Sequence, residues 1–393
     1  MYHRTLLIFC PVLIAGILAG GCAGTRHRVQ IEVAPPSSTP PEARLYIAGN
    51  LPSLGDWRPD GKGMKRAADS LWTFAFTVPH DQRIEFKITL GTWRDQAIYE
   101  PGVIPANIAF TCVGDTSIRL RPISWGLADS SSGGITGVVR YHPNLAGEGL
   151  RYKRDLIVWL PPSYEREPSK RYPVLYMHDG QNVFDPRTSF TGYDWHVDET
   201  ADSLIWAGAM REIIIVAITN SPDRVPEYSD TPLGRSYADF VVHRVKPMID
   251  STYRTLPGPE NTGVMGSSMG GLISFLFAWW YPDVFGQAAC LSSAFLFDDG
   301  KILRQVESYS GTRKPIRVYT DCGGVDLDAQ LLPGHRAMVA LLQAKGYREG
   351  TDLCSFEDPA ATHNERAWAA RVWRPVEFMF GTLPAGACGN TAR

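Results

Sequence analysis

Thr262-Gly263-Val264-Met265-Gly266-Ser267-Ser268-Met269-Gly270-Gly271-Leu272-Ile273 reads as a short buried strand, a serine bracketed by glycines, and the opening of an apolar helix that continues to Tyr281. A strand that reverses into a helix within so few residues puts its apex residue in strained backbone, and Gly266 and Gly270 remove the side chains that would collide there. Ser268 would then stand at the carboxyl end of a sheet. The following helix would begin at that serine, so its first amides and its dipole would favour the negative charge that develops in acyl transfer. In a chain with 37 glycines the same spacing also arises as a plain turn, so its weight comes from the strand before it and the helix after it.

Working outward, apolar runs bounded by turn residues recur at 156–160, 174–177, 213–218, 288–291 and 316–319, with helix-like stretches between most of them. Continuous apolar runs of that length are strands covered on both faces, and their alternation with helices predicts a doubly wound, mostly parallel α/β sheet. Residues 237–253 read as one helix that Pro247 should kink or divide. Residues 335–345 read as another, ended by Gly346.

A serine hydroxyl needs a base, and around this kind of elbow the partners follow in the order serine, acid, histidine. Beyond the elbow stand His335 and His363. His335 opens an amphipathic stretch, where a surface or capping role is the ordinary reading. His363 follows a strand at 353–356 and a Pro-Ala-Ala-Thr turn, in a loop on the same rim as Ser268, and is the expected base. The acid should come from the loop Asp321-Cys322-Gly323-Gly324-Val325-Asp326-Leu327-Asp328. Asp326, just past the double glycine, is the first choice and Asp328 the second. For the oxyanion the expected donors are the backbone amides of Met269 and of Gln181, the latter in the loop His178-Asp179-Gly180-Gln181-Asn182. His178 and Asp179 precede the serine, against the expected order, and read as residues that shape the pocket.

From about Arg154 to Phe380 the chain resembles the esterase family of α/β-hydrolases that includes enterobactin esterases, feruloyl and acetyl-xylan esterases, and mycolyltransferases. The resemblance lies in Tyr176-Met177-His178-Asp179-Gly180-Gln181-Asn182, Glu227-Tyr228, the Gly266–Gly271 elbow, Tyr281-Pro282-Asp283 with Phe285-Gly286, and His363-Asn364-Glu365 with Trp368. It implies ester hydrolysis with Ser268 and His363 as the reacting pair, without a metal or an organic cofactor. No Cys/His spacing reads as a zinc site.

Ahead of this region, residues 44–122 read as a small antiparallel sandwich of short segments at 45–48, 72–78, 84–89 and 118–120. Within it, Gly49-Asn50-Leu51-Pro52-Ser53-Leu54-Gly55-Asp56-Trp57 and Phe86-Lys87-Ile88-Thr89-Leu90-Gly91-Thr92-Trp93 resemble a starch-binding-type carbohydrate-binding module. Trp57 and Trp93 are its candidate sugar platforms. Trp57 also reads as a plug for the sandwich, and Trp93, beside a Gly-Thr turn, as the exposed one. Residues 123–136, with Ser130-Ser131-Ser132-Gly133-Gly134, have a linker's composition. Residues 137–384 make the α/β domain and 385–393 a tail.

The first residues carry His3 and Arg4, an apolar run from Leu6 to Leu18, and Ala19-Gly20-Gly21-Cys22. That order predicts a secretory signal over 1–22, with Cys22 resembling a lipobox cysteine that takes a lipid anchor. The Pro/Ser-rich stretch 23–43 reads as a tether. The expectation is an exported lipoprotein held to a membrane in the periplasm or at the cell surface. The chain has 393 residues, with 39 Lys and Arg against 41 Asp and Glu and no long block of either sign. Nothing there favours a nucleic-acid partner, and a small-molecule or glycan ester is the expected substrate. Cys112, Cys290, Cys322, Cys354 and Cys388 are scattered and predict no pairing. These readings converge on a serine carboxylic ester hydrolase working through an acyl-enzyme, on an acylated saccharide, a feruloyl or acetyl ester, or a siderophore ester. Two alternatives stand beside it: acyl transfer at the same site, and a surface glycan-binding protein whose hydrolase fold is inactive.

Overall fold

Alternation decides the amino-terminal layer. In Arg26–Val33 the apolar residues Val29, Ile31 and Val33 all point inward and are fully buried, while the polar residues between them face outward. The computed structural model describes residues 25–68, 71–93, 95–99, 105, 107–126 and 134–382. Expectations for the signal, for lipid attachment at Cys22, for Cys388 and for the 385–393 tail lie outside the described residues.

Two four-stranded sheets form the sandwich. One has the order Lys65–Ala68, Leu71–Pro79, Arg26–Val33, Thr116–Leu120, and the other Lys62–Gly63, Tyr46–Gly49, Gln82–Thr89, Ile108–Cys112. Arg26–Val33 is therefore an interior strand, antiparallel to Leu71–Pro79 and parallel to Thr116–Leu120. This corrects the tether expected over 23–43: the sandwich starts some twenty residues sooner than residue 44, because the polar residues of this strand are the outward half of a clean alternation. Only the Pro-rich part after Val33 is irregular, and even there the Trp125 indole donates to Thr39 Oγ1 at 2.8 Å.

An eight-stranded sheet follows, in the order Val138–Leu145, Arg154–Leu160, Ile214–Ile218, Val174–Met177, Thr262–Ser267, Gln287–Leu291, Arg317–Gly323, Leu353–Asp358. Its strands are β1 (Val138–Leu145), β2 (Arg154–Leu160), β3 (Val174–Met177), β4 (Ile214–Ile218), β5 (Thr262–Ser267), β6 (Gln287–Leu291), β7 (Arg317–Gly323) and β8 (Leu353–Asp358). The β1–β2 and β2–β4 pairs are antiparallel, and all pairs from β4 to β8 are parallel. Strands β3, β4, β5 and β6 are buried at every position, which is why β3 and β4 read as unbroken apolar runs.

The principal helices are α1 (Val197–Trp206), α2 (Met269–Trp280), α3 (Phe297–Ser308), α4 (Leu327–Ala344), α5 (Glu365–Ala369) and α6 (Trp373–Phe380). Pro247 does divide its helix: Pro232–Phe240 passes through a wide π segment, Val241–Val245, before Lys246–Thr252 continues. A loosened turn there accommodates a proline ring that would otherwise meet the carbonyl four residues back. Helix α4 starts well before the expected residue 335 and carries Pro333 inside it. His335 is accordingly not a surface cap. It is buried, with Nδ1 3.1 Å from Thr320 Oγ1.

Candidate active site

Every candidate group sits at the carboxyl ends of the parallel strands. Ser268 follows β5 with φ 56° and ψ −122° and caps α2. A left-handed φ on a serine is uncommon and costs on the order of 1–3 kcal/mol, so the surroundings must impose it. They do. The Ser268 N–H donates to the Leu291 carbonyl at 2.9 Å, and its own carbonyl accepts from the Ala294 N–H at 3.1 Å. The glycines make the apex possible: a Cβ on Gly266 would stand 2.6 Å from the Gly270 carbonyl carbon, and one on Gly271 would meet Ser293 Oγ.

His363 lies in the loop after β8, and its Nδ1 is 2.6 Å from Asp328 Oδ1. Asp328 is fully buried in the first turn of α4. Its other oxygen accepts from Ser292 Oγ at 2.8 Å and from the Gly323 N–H at 3.0 Å. Burial alone would raise the Asp328 pKa. The hydrogen bond and charge of His363, the Ser292 hydroxyl and the Arg371 guanidinium outweigh it and hold the carboxyl below its usual range. Asp326, the first-choice acid, is exposed. It takes φ 55° and ψ −123° as the cap of α4 and leaves the inward side of the first turn to Asp328. The geometry therefore corrects the choice between the two: the carboxylate on the imidazole is Asp328. The double glycine serves that contact, because a Cβ on Gly323 would fall 2.3 Å from Asp328 Oδ2 and 2.4 Å from the Ala361 carbonyl.

Sequence reading missed the brace behind this pair. Arg371 binds Asp321 through Nε (3.0 Å) and Nη2 (3.1 Å), and Nη2 also donates to Ser292 Oγ at 2.7 Å. The Trp368 indole donates to the same oxygen at 3.1 Å and stands edge-on to His363 with centroids 5.0 Å apart. With two donors already on it, the Ser292 hydroxyl has its proton left for Asp328. Arg371 carries no short motif; only the turn spacing that returns α5 to the site places it.

Across the rim, Gly180–Asn182 forms a single 3₁₀ turn after β3 that contains Gln181, and Met269 opens α2. The first amides of a helix have no intrahelical acceptor. His178 and Asp179 are structural here. Asp179 binds Arg224 through both oxygens, at 2.6 and 2.7 Å, and Asn220 Nδ2 at 2.6 Å. His178 is buried with Nδ1 2.9 Å from the Tyr237 hydroxyl, and burial pushes its pKa down to about 3.

The two tryptophans occupy neither expected place. Trp93 is only 9 % exposed. Its ring lies 4.7 Å from Phe190 of the α/β domain, and Trp57 meets the same ring edge-on at 5.6 Å. Neither plugs the sandwich core, and Trp93 is not an open platform. Lys87, 5 % exposed, places its ammonium 4.6 Å from the Phe190 centroid and donates to Gln96 Oε1 at 2.8 Å. Gln96 in turn donates to the Thr191 carbonyl. Burial lowers the Lys87 pKa to about 8, while Glu365 pulls it upward. Glu365 itself accepts from Asn182 Nδ2 at 3.3 Å and is raised by its own burial. The sandwich is thus docked on the rim that joins the Gln181 loop to the His363 loop.

A nucleophile-type elbow on β5, an Asp–His pair carried by β7 and β8, and a mixed eight-stranded sheet define an α/β-hydrolase with a sandwich in front of it. The chain belongs to the family described as "Putative esterase", whose model matches residues 147–378; it is a carboxylic ester hydrolase. A second model, that of the starch binding domain, matches residues 26–113, from the first strand of the sandwich onward. The uncharacterized protein YbbA of Bacillus subtilis strain 168 is 22% identical over 248 residues, 58% of this chain and 93% of that protein. Among solved structures, a ferulic acid esterase superposes with a TM-score of 0.51 at 22% identity, over 62% of this chain and 98% of that one. The enterobactin esterase of Shigella flexneri, solved with enterobactin, gives 0.52 at 12% identity over 86% of this chain and 87% of its own. That likeness extends beyond the α/β domain.

Proposed function

We propose that the protein cleaves carboxylic esters through a covalent acyl-enzyme on Ser268. His363 takes the serine proton through Nε2 and returns it to the leaving alcohol. Asp328 holds the Nδ1–H tautomer and stabilises the imidazolium without itself taking the proton. Water, activated by the same imidazole, then releases the acid, and the amides of Met269 and Gln181 receive the oxyanion. The observation that carries this reading is the 2.6 Å contact between His363 and a buried, braced Asp328. Asp328 and His363 follow β7 and β8 on the same strand-end rim as Ser268 after β5, and we infer that the imidazole closes on the serine hydroxyl when substrate binds.

For the substrate we favour an ester with an apolar or aromatic acid. The segments after β6 and β7, up to the first residues of α3 and α4, leave Leu296, Phe297, Val325 and Leu327 exposed on the rim where the acid or alcohol would lie. Feruloyl, acetyl, acyl-saccharide and siderophore esters all fall within that class. Export as a lipoprotein is part of the same proposal and rests on the Leu6–Leu18 run ahead of Cys22. The test is hydrolysis of p-nitrophenyl acetate, methyl ferulate and a catecholate ester side by side, with Ser268→Ala as control. Turnover and a serine-bound acyl adduct in the parent, both lost in the variant, are expected. Equal rates in parent and variant would rule the mechanism out.

A further inference from the structure

Three carboxylates and one imidazole crowd the start of α1. His196, with φ 52°, turns the chain into the helix, and its Nδ1 lies 3.8 Å from Asp194 Oδ2 and 3.4 Å from Glu199 Oε1. Those separations are long for hydrogen bonds. They are close to the edge of a tetrahedron: two ligands each about 2.1 Å from a zinc ion stand about 3.4 Å apart. The ligand atoms of Asp194, His196 and Glu199 all lie within 4.8 Å of one another.

An independent observation points the same way. Asp198 is fully buried, and its Oδ2 accepts the Thr136 N–H at 2.6 Å, but its Oδ1 has no hydrogen-bond partner. Glu199 Oε2 is buried too and faces the Asp198 carboxylate, so two acceptor oxygens meet there with no donor group between them. Among the described residues no lysine or arginine forms an ion pair with Asp194, Asp198 or Glu199. Carboxylates packed together out of water need either a proton or a metal ion between them.

We propose that Asp194, His196 and Glu199 bind a divalent zinc-class cation, with Asp198 as a neighbouring acceptor. The donor set, one imidazole with carboxylates, suits zinc over calcium, which takes six to eight oxygens at longer range. The site lies outside the ester chemistry and holds the helix start. Trp195, between two of the ligands, packs on Trp368 with centroids 5.4 Å apart. The ion therefore steadies the wall that backs His363.

The experiment is calorimetric titration of the untagged, chelator-treated full chain with zinc, calcium and magnesium, together with metal analysis and thermal melts. One equivalent of zinc should bind and raise the melting temperature, while calcium and magnesium bind at least tenfold more weakly. His196→Gln and Glu199→Gln should each weaken zinc at least tenfold while circular dichroism stays that of the parent, and Cys322→Ser should bind as the parent does. Absence of zinc binding by the folded parent would overturn the proposal, since a shared proton then suffices. Undiminished binding in both His196→Gln and Glu199→Gln would overturn it too, by placing the ion elsewhere.

Discussion

Replacing Asp328 by asparagine should cost about four orders of magnitude in kcat/KM, and the structure dictates the reason. Asp328 Oδ2 accepts from the Gly323 N–H at 3.0 Å, and a backbone donor cannot reverse its role as a hydroxyl can. The oxygen of the new amide must stay on that side. Its NH₂ must then face His363 Nδ1, at the position that now accepts at 2.6 Å. The imidazole is forced into the tautomer with its proton on Nε2, toward Ser268, where it can no longer accept. A tautomer reversal of this kind costs ~10⁴-fold, or about 5.4 kcal/mol at 1.36 kcal/mol per decade. The assay is kcat/KM for methyl ferulate and p-nitrophenyl acetate at pH 7.5, with Asp326→Asn as the matched control. Asp326 is exposed on the cap of α4, so its variant should stay within about twofold of the parent. If Asp328→Asn keeps more than a tenth of the activity, or Asp326→Asn falls as far, the assignment of the acid is wrong.

Two further outcomes test the packing. Trp93→Ala strips one side of the cover on Phe190 and should lower the unfolding free energy by about 3 kcal/mol, read by urea titration; an unchanged midpoint would mean the two domains do not hold each other through this ring. His178 has a folded pKa of about 3, against about 6.5 in an unfolded chain. The unfolded state therefore binds the extra proton as pH falls below 6.5, and stability drops by about 1.4 kcal/mol per pH unit down to the folded value. His178→Gln should flatten that slope between pH 6 and 4.5 in urea unfolding, and a slope identical to the parent's would clear His178 of the effect.

The central strands were legible because burial on both faces favours apolar side chains along most of their length, and the elbow because strain at Ser268 demands glycines at fixed offsets. Arg26–Val33 was overlooked beside a signal-like leader, although its alternation is as regular as any in the chain. Val138–Leu145 was missed for the opposite reason: as an exposed edge strand with Pro143 inside it, it shows no clear apolar face. The acid was misplaced by two residues because the helix start, not the double glycine, decides which aspartate turns inward. Ser292 and Arg371 act through a network drawn from β6 and the end of α5, and no local spacing encodes such a meeting. Trp57 reads as a plug and Trp93 as an open ring because a sequence does not say which surface will come to cover them.

That cover has a bearing on how the enzyme could be trimmed or recombined. A version cut back to the hydrolase alone would bare a phenylalanine on its rim and leave Glu365, buried two residues from His363, without the Lys87 ammonium that offsets it. The front domain covers part of the hydrolase rim, so exchanging it for an unrelated glycan binder would also strip the contacts that Trp57, Trp93 and Lys87 make with Phe190.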